Sequence, residues 1–393
     1  MPDLESIYRR TLERCSPKSL IQKEVSADLP RVVVGVGKAA GALVDGVAAA
    51  MTIEQAMAVI PYGYPDPQWR GSIVVAHGGH PQIDDHSFDA GEALLRFVDG
   101  IDEVLFLISG GGSACVEKPL EPWFSEGELI DVNARLVAAG IAIGEINTVR
   151  KHLSAIKGGR LAARVPRRSV TLIYSDVSSG AASDVASGPS VPDSTTKRDA
   201  AEILERIGGF NRIVTALRDE SLPETVKAIA NATWRIVADN TTLVDAAATI
   251  CESMGLRVHR LSEQIESDVG AAAAQLADRA ASLKAGDILI AGGEPTVRVR
   301  GDGKGGRCSE LALRFALRMK NVQALFASSD GVDGNSGAAG IILDCIPGQI
   351  DPAEAAAALA RSDSFPVAST AGRAVIIPAT GNNLRDLYLV ARP

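Results

Sequence analysis

Short apolar runs that stop at glycines constrain the fold of this 393-residue chain more than any other feature. Arg31–Gly35 leads into a glycine-rich turn followed by an alanine-rich segment. Val104–Ser109 leads into three consecutive glycines, and Ile288–Ile290 leads into Gly292-Gly293. Dense runs of β-branched residues are typical of strands buried on both faces of a parallel sheet. A strand, a glycine-rich turn and a helix in that order form the βα unit that binds phosphates. The sequence therefore predicts an α/β fold.

The length of the chain predicts two domains, because a single hydrophobic core rarely grows beyond ~250–300 residues. We place the first α/β domain at residues 1–230 and the second at residues 231–393. Apolar residues in Leu4–Cys15 recur at helical spacing, which predicts an amphipathic helix that packs on the first domain. Arg235–Ala238 is expected to begin the second domain as a strand.

The composition is that of an ordinary globular protein, with 46% hydrophobic and 22% charged residues. A net charge of -8 argues against nucleic-acid binding, which requires a basic face, but a site for small anions needs only a few local cations. No apolar run reaches the ~18 residues of a membrane span, and the N-terminus has no signal-peptide core. The five cysteines are widely scattered. We therefore expect a cytoplasmic protein that binds neither membrane nor nucleic acid.

The stretch Asp287–Phe315 is the strongest candidate for a site in the second half of the chain. Thr296–Arg300 alternates as a strand would, and the glycine-rich loop Gly301–Gly306 then carries Lys304. Arg307 stands where this loop becomes a helix. Glycine amides and a helix N-terminus attract anions, and a guanidinium forks onto phosphate or carboxylate. The alternative is that the glycines and the arginine are purely structural.

Two glycine-rich strand ends supply the candidates in the first half. Lys38 follows the first strand and is expected in the first turn of the next helix. Its ammonium either reaches an anion held over the strand end or is solvated. Gly110–Gly112 and Ser113 follow Val104–Ser109, where open α/β sheets bind their ligands with free amides. The spacing of glycines around Lys38 is GxGxxxG, not the dinucleotide pattern. We interpret the basic stretch Asn147–Leu161 mainly as a solvated helix face.

Four aspartates in loops are the remaining candidate site residues. Asp176 and Asp184 lie in a long polar loop that includes Ser178–Ser187, and Asp330 and Asp333 follow another short strand. Each is a candidate magnesium ligand or general base, although an ordinary Asp-Gly turn explains one of the latter pair equally well. Cations, glycine loops and carboxylates without a nucleophilic cysteine suit phosphoryl transfer.

Seven motifs in order across nearly the whole chain resemble the bacterial and archaeal glycerate 2-kinases, which are also labelled hydroxypyruvate reductases. They are VVVGVGKAAG, GGHP, FLISGGGSA, INTVRKHLSAIKGGRLA, YSDV with ASGPSVPDSTT, AGGEPTVRVRGDGKGGR with ELAL, and SSDGVDG with AAG. The resemblance implies two α/β/α domains, a Rossmann-like first domain with a mostly parallel sheet and a smaller MOFRL-type second domain with a mixed sheet. It implies transfer of the ATP γ-phosphate to the 2-hydroxyl of D-glycerate, with Mg²⁺, in the cleft between the domains.

The resemblance places Lys38 and Arg307, the cations already selected, in the active site. The candidate site residues form three sets: catalytic Lys38, Arg307 and Asp184; cofactor-binding Gly110, Gly111, Gly112, Ser113, Gly293, Glu294, Lys304 and Asp330; and metal-binding Asp184 and Asp330.

Three departures from the family pattern suggest a shifted substrate or weakened chemistry. Cys308 and Ser309 replace an Asn-Gln pair, Gly337 replaces a carboxylate, and Asp184 stands alone where two acids are common. Three alternatives therefore remain open: a kinase for a related hydroxy acid, an NAD(P)H-dependent hydroxypyruvate reductase, and a non-catalytic sugar-acid binder. The sequence is compatible with a monomer or a homodimer.

Overall fold

The computed structural model describes residues 2–177 and 180–393, which form two compact units. One unit comprises residues 17–237, and the other joins residues 2–16 to residues 238–393. The elements in chain order are α1 (Leu4–Arg14), α2 (Pro17–Gln22), β1 (Val32–Val36), α3 (Ala40–Ala50), β2 (Gln55–Pro61), β3 (Ile73–Gly78), α4 (Asp85–Val98), β4 (Glu103–Ser109), α5 (Gly112–Cys115), α6 (Glu126–Ala138), α7 (Ile143–Leu153), β5 (Arg168–Tyr174), α8 (Lys197–Ile207), α9 (Asn211–Arg218), β6 (Ala232–Ala238), α10 (Asn240–Ser253), β7 (Arg257–Arg260), α11 (Val269–Ala280), β8 (Asp287–Gly293), α12 (Arg307–Ala316), β9 (Gln323–Ser328), β10 (Gly340–Leu343), α13 (Pro352–Ala360), α14 (Ser364–Ala371), β11 (Arg373–Val375) and β12 (Asp386–Ala391).

The sheet of residues 17–237 has the strand order β3-β2-β1-β4-β5-β6, which is the order of a Rossmann-like fold. Strands β1 to β5 run parallel. The direction of winding reverses between the adjacent strands β1 and β4, where Gly35 pairs with Leu107. This confirms the predicted α/β fold and places the reversal at two of the predicted glycine-rich strand ends.

The apolar runs form the core of this sheet. Every residue of β1 is buried, and β4 is buried from Val104 onward. Alternate side chains such as Val34 and Phe106 pack with Leu94 of α4 on one face. A strand with both faces covered needs apolar residues at successive positions. This explains why the sequences of β1 and β4 are continuous apolar runs rather than alternating apolar and polar residues.

Two assignments from the sequence are wrong. The amphipathic helix α1 belongs to the unit of residues 238–393. It packs on α10, and its Tyr8 hydroxyl donates to Ser328 O at the end of β9 at 2.6 Å. The strand Ala232–Ala238, expected to open the second domain, is β6 at the edge of the first sheet. Helical spacing defines an apolar face but not its partner, and the sequence of a strand does not specify which sheet it joins.

The second sheet is mixed, with the order β11-β10-β9-β12-β8-β7. The last strand, β12, lies antiparallel between β8 and β9, and Asp386 pairs with both Gly293 and Ser328. The start of β12 therefore lies at the carboxyl ends of β8 and β9. This register brings the beginning of the final strand to the turn that follows Gly293.

Other local differences concern exposed or short segments. Thr296–Arg300 is not a strand: apart from a single bridge between Thr296 and Asp268, it is irregular. Strands β2 and β10 were not identified from the sequence. In the part of the chain that the structure describes, no helix has both the length and the apolar character needed to span a bilayer.

Candidate active site

The turns after β1 and β4 form one structure at the point where the strand order reverses. The Lys38 backbone N–H donates to Gly110 O at 2.8 Å. The Ser109 hydroxyl donates to Val36 O at 3.2 Å and accepts from Ala39 N at 3.0 Å. Ligands of open α/β sheets bind outside the strand ends at this reversal. The structure thus brings Lys38 and the triple-glycine loop together, although Lys38 precedes α3 rather than lying in its first turn.

Glycines allow this close approach. Gly37 has φ 107°, and a Cβ there would lie 2.3 Å from Ser109 O. Gly111 has φ 86°, and its Cβ would lie 3.0 Å from the Lys38 side chain and 3.4 Å from His80. A larger residue at either position would force the two turns apart.

The amides of Gly111, Gly112 and Ser113 are the open donors of this site. In the described residues, the N–H groups of these three positions donate to no other group, whereas Gly110 directly follows the pairing of Ser109 with Tyr174 of β5. Lys38 is half-buried beside them. Successive backbone N–H groups next to a cation form a concavity suited to an anion.

A chain of hydrogen bonds connects this loop to Asp184. The hydroxyls of Ser113 and Ser187 lie 2.9 Å apart, and Ser187 donates to Asn147 Oδ1 at 2.9 Å. The Asn147 amide nitrogen donates to Asp184 O at 3.3 Å. The loop that carries Asp184 is therefore tied to the end of β4. Ser178 and Ser179 of this loop lie outside the described residues.

The basic stretch Asn147–Leu161 is not a solvated face. The Lys151 side chain is 3% exposed, and its Nζ lies 3.2 Å from Asp193 Oδ1 and 3.7 Å from Asp184 Oδ1. Burial alone would raise the pKa of Asp193, but Lys151 and the hydroxyls of Thr195 and Thr225 hold it below its usual value. Lys151 thus links the half-buried Asp184 to a buried carboxylate.

Two further charged residues of this stretch, Arg150 and Lys157, are also buried, and Arg160 is half-buried. Lys157 forms an ion pair with Glu117, both side chains being 1% exposed, and burial lowers the pKa of Lys157. Arg150 donates to Asn133 Oδ1 at 2.5 Å. The interpretation from the sequence was wrong because the partners come from distant segments, such as Asp193, which lies 42 residues after Lys151, and charge density alone does not reveal them.

In the unit of residues 238–393, Arg307 begins α12 as predicted and meets two carboxylates. Its Nε and Nη2 donate to Asp386 at 2.7 and 2.9 Å, and Nη1 lies 2.7 Å from Glu294 Oε1. Burial alone would lower the pKa of Arg307, but Asp386 and Glu294 together raise it. Arg307 is therefore a firmly held, permanently charged group, and its side chain is 28% exposed.

A second arginine extends this cluster. Arg385 Nε lies 3.1 Å from Glu294 Oε2, and Nη1 lies 2.7 Å from Glu266 Oε1. The two arginines and the carboxylates of Glu266, Glu294 and Asp386 sum to a charge of -1. The β12 register explains why Arg385 and Asp386 reach the turn after Gly293. Sequence reasoning missed both residues because no motif links them to Arg307, 79 residues earlier than Asp386.

The loop Gly301–Gly306 is not an open anion cradle, contrary to the expectation from the sequence. Four successive amides donate within the protein: Gly303 N to Arg361 O at 3.3 Å, Lys304 N to Asp363 Oδ1 at 2.8 Å, Gly305 N to Asn335 Oδ1 at 2.7 Å, and Gly306 N to Ser309 Oγ at 2.8 Å. The glycines allow close packing, since a Cβ on Gly306 would lie 2.2 Å from Asp333 Oδ1.

Asp333 occupies the N-terminus of α12. Its two oxygens accept from Cys308 N at 2.8 Å and Ser309 N at 2.9 Å. Burial raises the pKa of Asp333 to about 6, although these hydrogen bonds oppose the rise. The positive end of the α12 dipole already faces a carboxylate of the protein itself.

The other predicted residues of this unit have defined surroundings. Lys304 is exposed, with its Nζ 5.4 Å from the Phe365 ring centroid. Asp330 is buried and its Oδ1 accepts from Ser328 Oγ at 2.8 Å and Val332 N at 2.9 Å, which holds its own turn. Gly293 ends β8 beside Asp386.

Two of the three departures from the family pattern have different surroundings. Cys308 and Ser309 are fully buried and present no side-chain surface to a ligand, whereas a Cβ on Gly337 would meet open space. Gly337 therefore leaves room for a side chain. The third departure, in the loop that carries Asp184, lies partly outside the described residues.

Across residues 2–177 and 180–393, no group of three or more His, Cys, Asp or Glu side chains could hold a metal ion. Mg²⁺ bound together with a nucleotide needs only one or two carboxylates, since phosphates and water supply the other ligands. Asp184, which is 22% exposed, fits that requirement.

Two family models match this chain. A domain of unknown function, DUF4147, matches residues 3–220, and the MOFRL family matches residues 287–386. D-glycerate 2-kinase from Thermotoga maritima is 32% identical over 98% of this chain and 96% of its own length. A putative hydroxypyruvate reductase from Agrobacterium vitis is 33% identical over 98% and 93%.

Two solved structures are similar to this chain over nearly its whole length. A crystal structure of glycerate kinase from Thermotoga maritima superposes with a TM-score of 0.87 at 31% identity, covering 99% of this chain and 98% of that one. A second structure, from Pyrococcus horikoshii, gives a TM-score of 0.80 at 27% identity, with 98% and 97% covered.

Proposed function

This chain belongs to the glycerate 2-kinase family, and we propose that it transfers the γ-phosphate of ATP to the 2-hydroxyl of D-glycerate. The observation that carries the proposal is the set of free amides in Gly111–Ser113 beside Lys38, at the point where the strand order reverses. Phosphoryl transfer needs preorganised donors and cations around the moving group, and little covalent chemistry from the protein.

In this proposal the loop Gly110–Ser113 cradles a phosphate of ATP, and Lys38 neutralises charge on the transferred phosphoryl group. The Ser113 hydroxyl orients the loop through Ser187. Because the donors are fixed before the substrate binds, they require little reorganisation in the transition state.

We assign Arg307 a positioning interaction with an anionic group of the substrate. Hydrogen bonds to Asp386 use two of its five N–H groups, and Glu294 and Asp386 fix the plane of the guanidinium. A fixed fork recognises a carboxylate or phosphate through paired hydrogen bonds. Lys304 contributes its charge only, since the amides of its loop are already used. A location of the site between the two domains stays a prediction.

Of the two proposed magnesium ligands, Asp184 is better supported than Asp330. Asp184 is partly exposed, whereas Asp330 is buried and holds its own turn. Mg²⁺ bound with ATP would neutralise charge on the phosphates. Lys151 would keep the Asp184 carboxylate in a fixed position.

The test is ATP consumption with D-glycerate and Mg²⁺ by the unaltered protein and by Lys38→Met. We expect the substitution to lower kcat at least ~100-fold, because it removes a cation from the transition state, while the melting temperature stays the same. Lys23→Met, at an exposed surface lysine, is the matched control and should retain full activity.

A panel of small hydroxy acids and an assay with NADH and hydroxypyruvate complete the experiment. Turnover of another acid in place of D-glycerate would correct the substrate and point to Gly337. NADH oxidation without ATP consumption would contradict the kinase proposal. Normal turnover by Lys38→Met would remove Lys38 from the mechanism.

A further inference from the structure

Lys38 is held in place by more than its backbone. Its main-chain N–H bonds to Gly110 O, and its side chain passes Gly111. The Lys38 Nζ lies 5.4 Å from the centroid of the Tyr64 ring. An ammonium within about 6 Å of a ring face is attracted to the negative charge of that face. The ring therefore stabilises one position of an otherwise flexible side chain.

Tyr64 is itself anchored. It follows β2, and its backbone N–H donates to Pro61 O at 3.3 Å. Its ring packs on the buried side chains of Ala40, Ala58 and Ile60. A ring fixed on the core offers a fixed face, so the geometry of the contact does not depend on a mobile loop.

We propose that Tyr64 is a positioning residue for phosphoryl transfer, and that its ring face holds the Lys38 ammonium beside the amides of Gly110–Ser113. This inference rests on the proposed function. A lysine has four rotatable bonds, and placing its charge in advance reduces the conformational entropy lost in the transition state. Tyr64 acts through Lys38 and needs no contact with the substrate.

The decisive experiment separates the electrostatics of the ring from its shape. Tyr64→Phe keeps the ring and should retain near-normal kcat, whereas Tyr64→Leu should lower kcat about 3- to 10-fold with little change in KM for D-glycerate. Tyr64→Phe variants with one, two or three fluorines on the ring keep its shape but progressively weaken the negative face. Their kcat should fall stepwise.

Tyr62→Leu is the matched control two residues away. Tyr62 is exposed, and its ring stacks on His77 at 6.0 Å between centroids. Its substitution should leave kcat unchanged. Equal kcat across the fluorinated series, or a normal kcat for Tyr64→Leu, would overturn the proposal.

Trinitrobenzenesulfonate labelling of Lys38, followed by peptide mass analysis, tests the contact without any turnover. Labelling should accelerate along the fluorinated series, because a weaker contact with the ring leaves the Lys38 side chain more accessible to the reagent. Lys304, beside Phe365, provides an internal reference whose labelling rate should stay constant. If the unaltered protein transferred no phosphate, the proposed function and the role of Tyr64 in it would both be wrong. The labelling rates would then decide only whether the contact exists.

Discussion

The carboxylate of Asp333 accepts hydrogen bonds at the N-terminus of α12, although Asp333 lies in a loop 25 residues after Cys308. Two effects shift the pKa of Asp333 in opposite directions. Two backbone N–H groups stabilise the charged form, and burial disfavours that form more strongly. The net result is a pKa of about 6, against an ordinary value of 3.8. The folded state therefore binds more protons than the unfolded state between these values.

This raised pKa predicts how stability depends on pH. The contribution of Asp333 is fully present below about pH 4 and is lost as pH rises toward 6, because the ionised form is less well accommodated in the folded state. We compare the free energy of unfolding of the unaltered protein and of Asp333→Asn at about pH 5 and about pH 7.5. The difference between the two proteins should shift by about 1 kcal/mol, in favour of the unaltered protein at the lower pH. An equal difference at both pH values would contradict the assignment.

At the scale of elements, two glycine-rich loops of similar composition have opposite hydrogen-bonding states. In the described residues, Gly111–Ser113 keeps its amides free, while all four amides of Gly303–Gly306 donate to other groups of the protein. The second loop is therefore a packed support that holds the start of α12, and with it Arg307, in place. Its glycines are required by close contacts rather than by a ligand.

Gly306→Ala tests this structural role. The added methyl group would lie 2.2 Å from Asp333 Oδ1 and 2.5 Å from the Asp333 carbonyl carbon. We expect a loss of about 1–3 kcal/mol in the free energy of unfolding, measured in urea, because backbone atoms must shift.

Gly127→Ala is the control for the same change in an open position. Gly127 is exposed in α6, and its Cβ would meet nothing within 4 Å. Alanine should stabilise the helix there by about 0.5–1 kcal/mol. Equal effects of the two substitutions would show that the contact with Asp333 is not tight.

In the whole molecule, the N-terminal helix α1 belongs to the unit that is otherwise formed by the second half of the chain. Residues 2–16 form a compact unit with residues 238–393. Tyr8 is fully buried there and donates to Ser328 O, at the end of β9. The stability of that unit therefore depends on residues at both ends of the chain.

Tyr8→Ala should destabilise this unit by about 3–5 kcal/mol, because it leaves a cavity and removes a buried hydrogen bond. Hydrogen exchange should accelerate in β9 and β12. Exchange in β1 and β4, which belong to the other unit, should change less.

Tyr8→Phe should lose only about 1 kcal/mol, the contribution of the hydroxyl. Faster exchange confined to β1 and β4 in Tyr8→Ala would contradict the assignment of α1.

Local sequence patterns were sufficient to predict the fold class, the main strands and the places of several candidate site residues in those elements. The run Val104–Ser109 lies within β4, Lys38 follows β1, and Arg307 begins α12. These features are local: the order of apolar residues, glycines and helix formers specifies a strand, a turn and a helix without reference to the rest of the chain. The family motifs extended that prediction to phosphoryl transfer.

Long-range contacts set which hydrogen-bond donors and charged side chains are available to a ligand, and local sequence does not specify them. The amides of Gly303–Gly306 are used by Asn335, Arg361 and Asp363, among others, up to 59 residues away. Lys151 is buried and paired with Asp193, which is distant in the sequence. The register of β12 brings Asp386 to Arg307. Whether an amide is free or a charge is solvated depends on segments distant in sequence, and their proximity arises only when the sheets assemble.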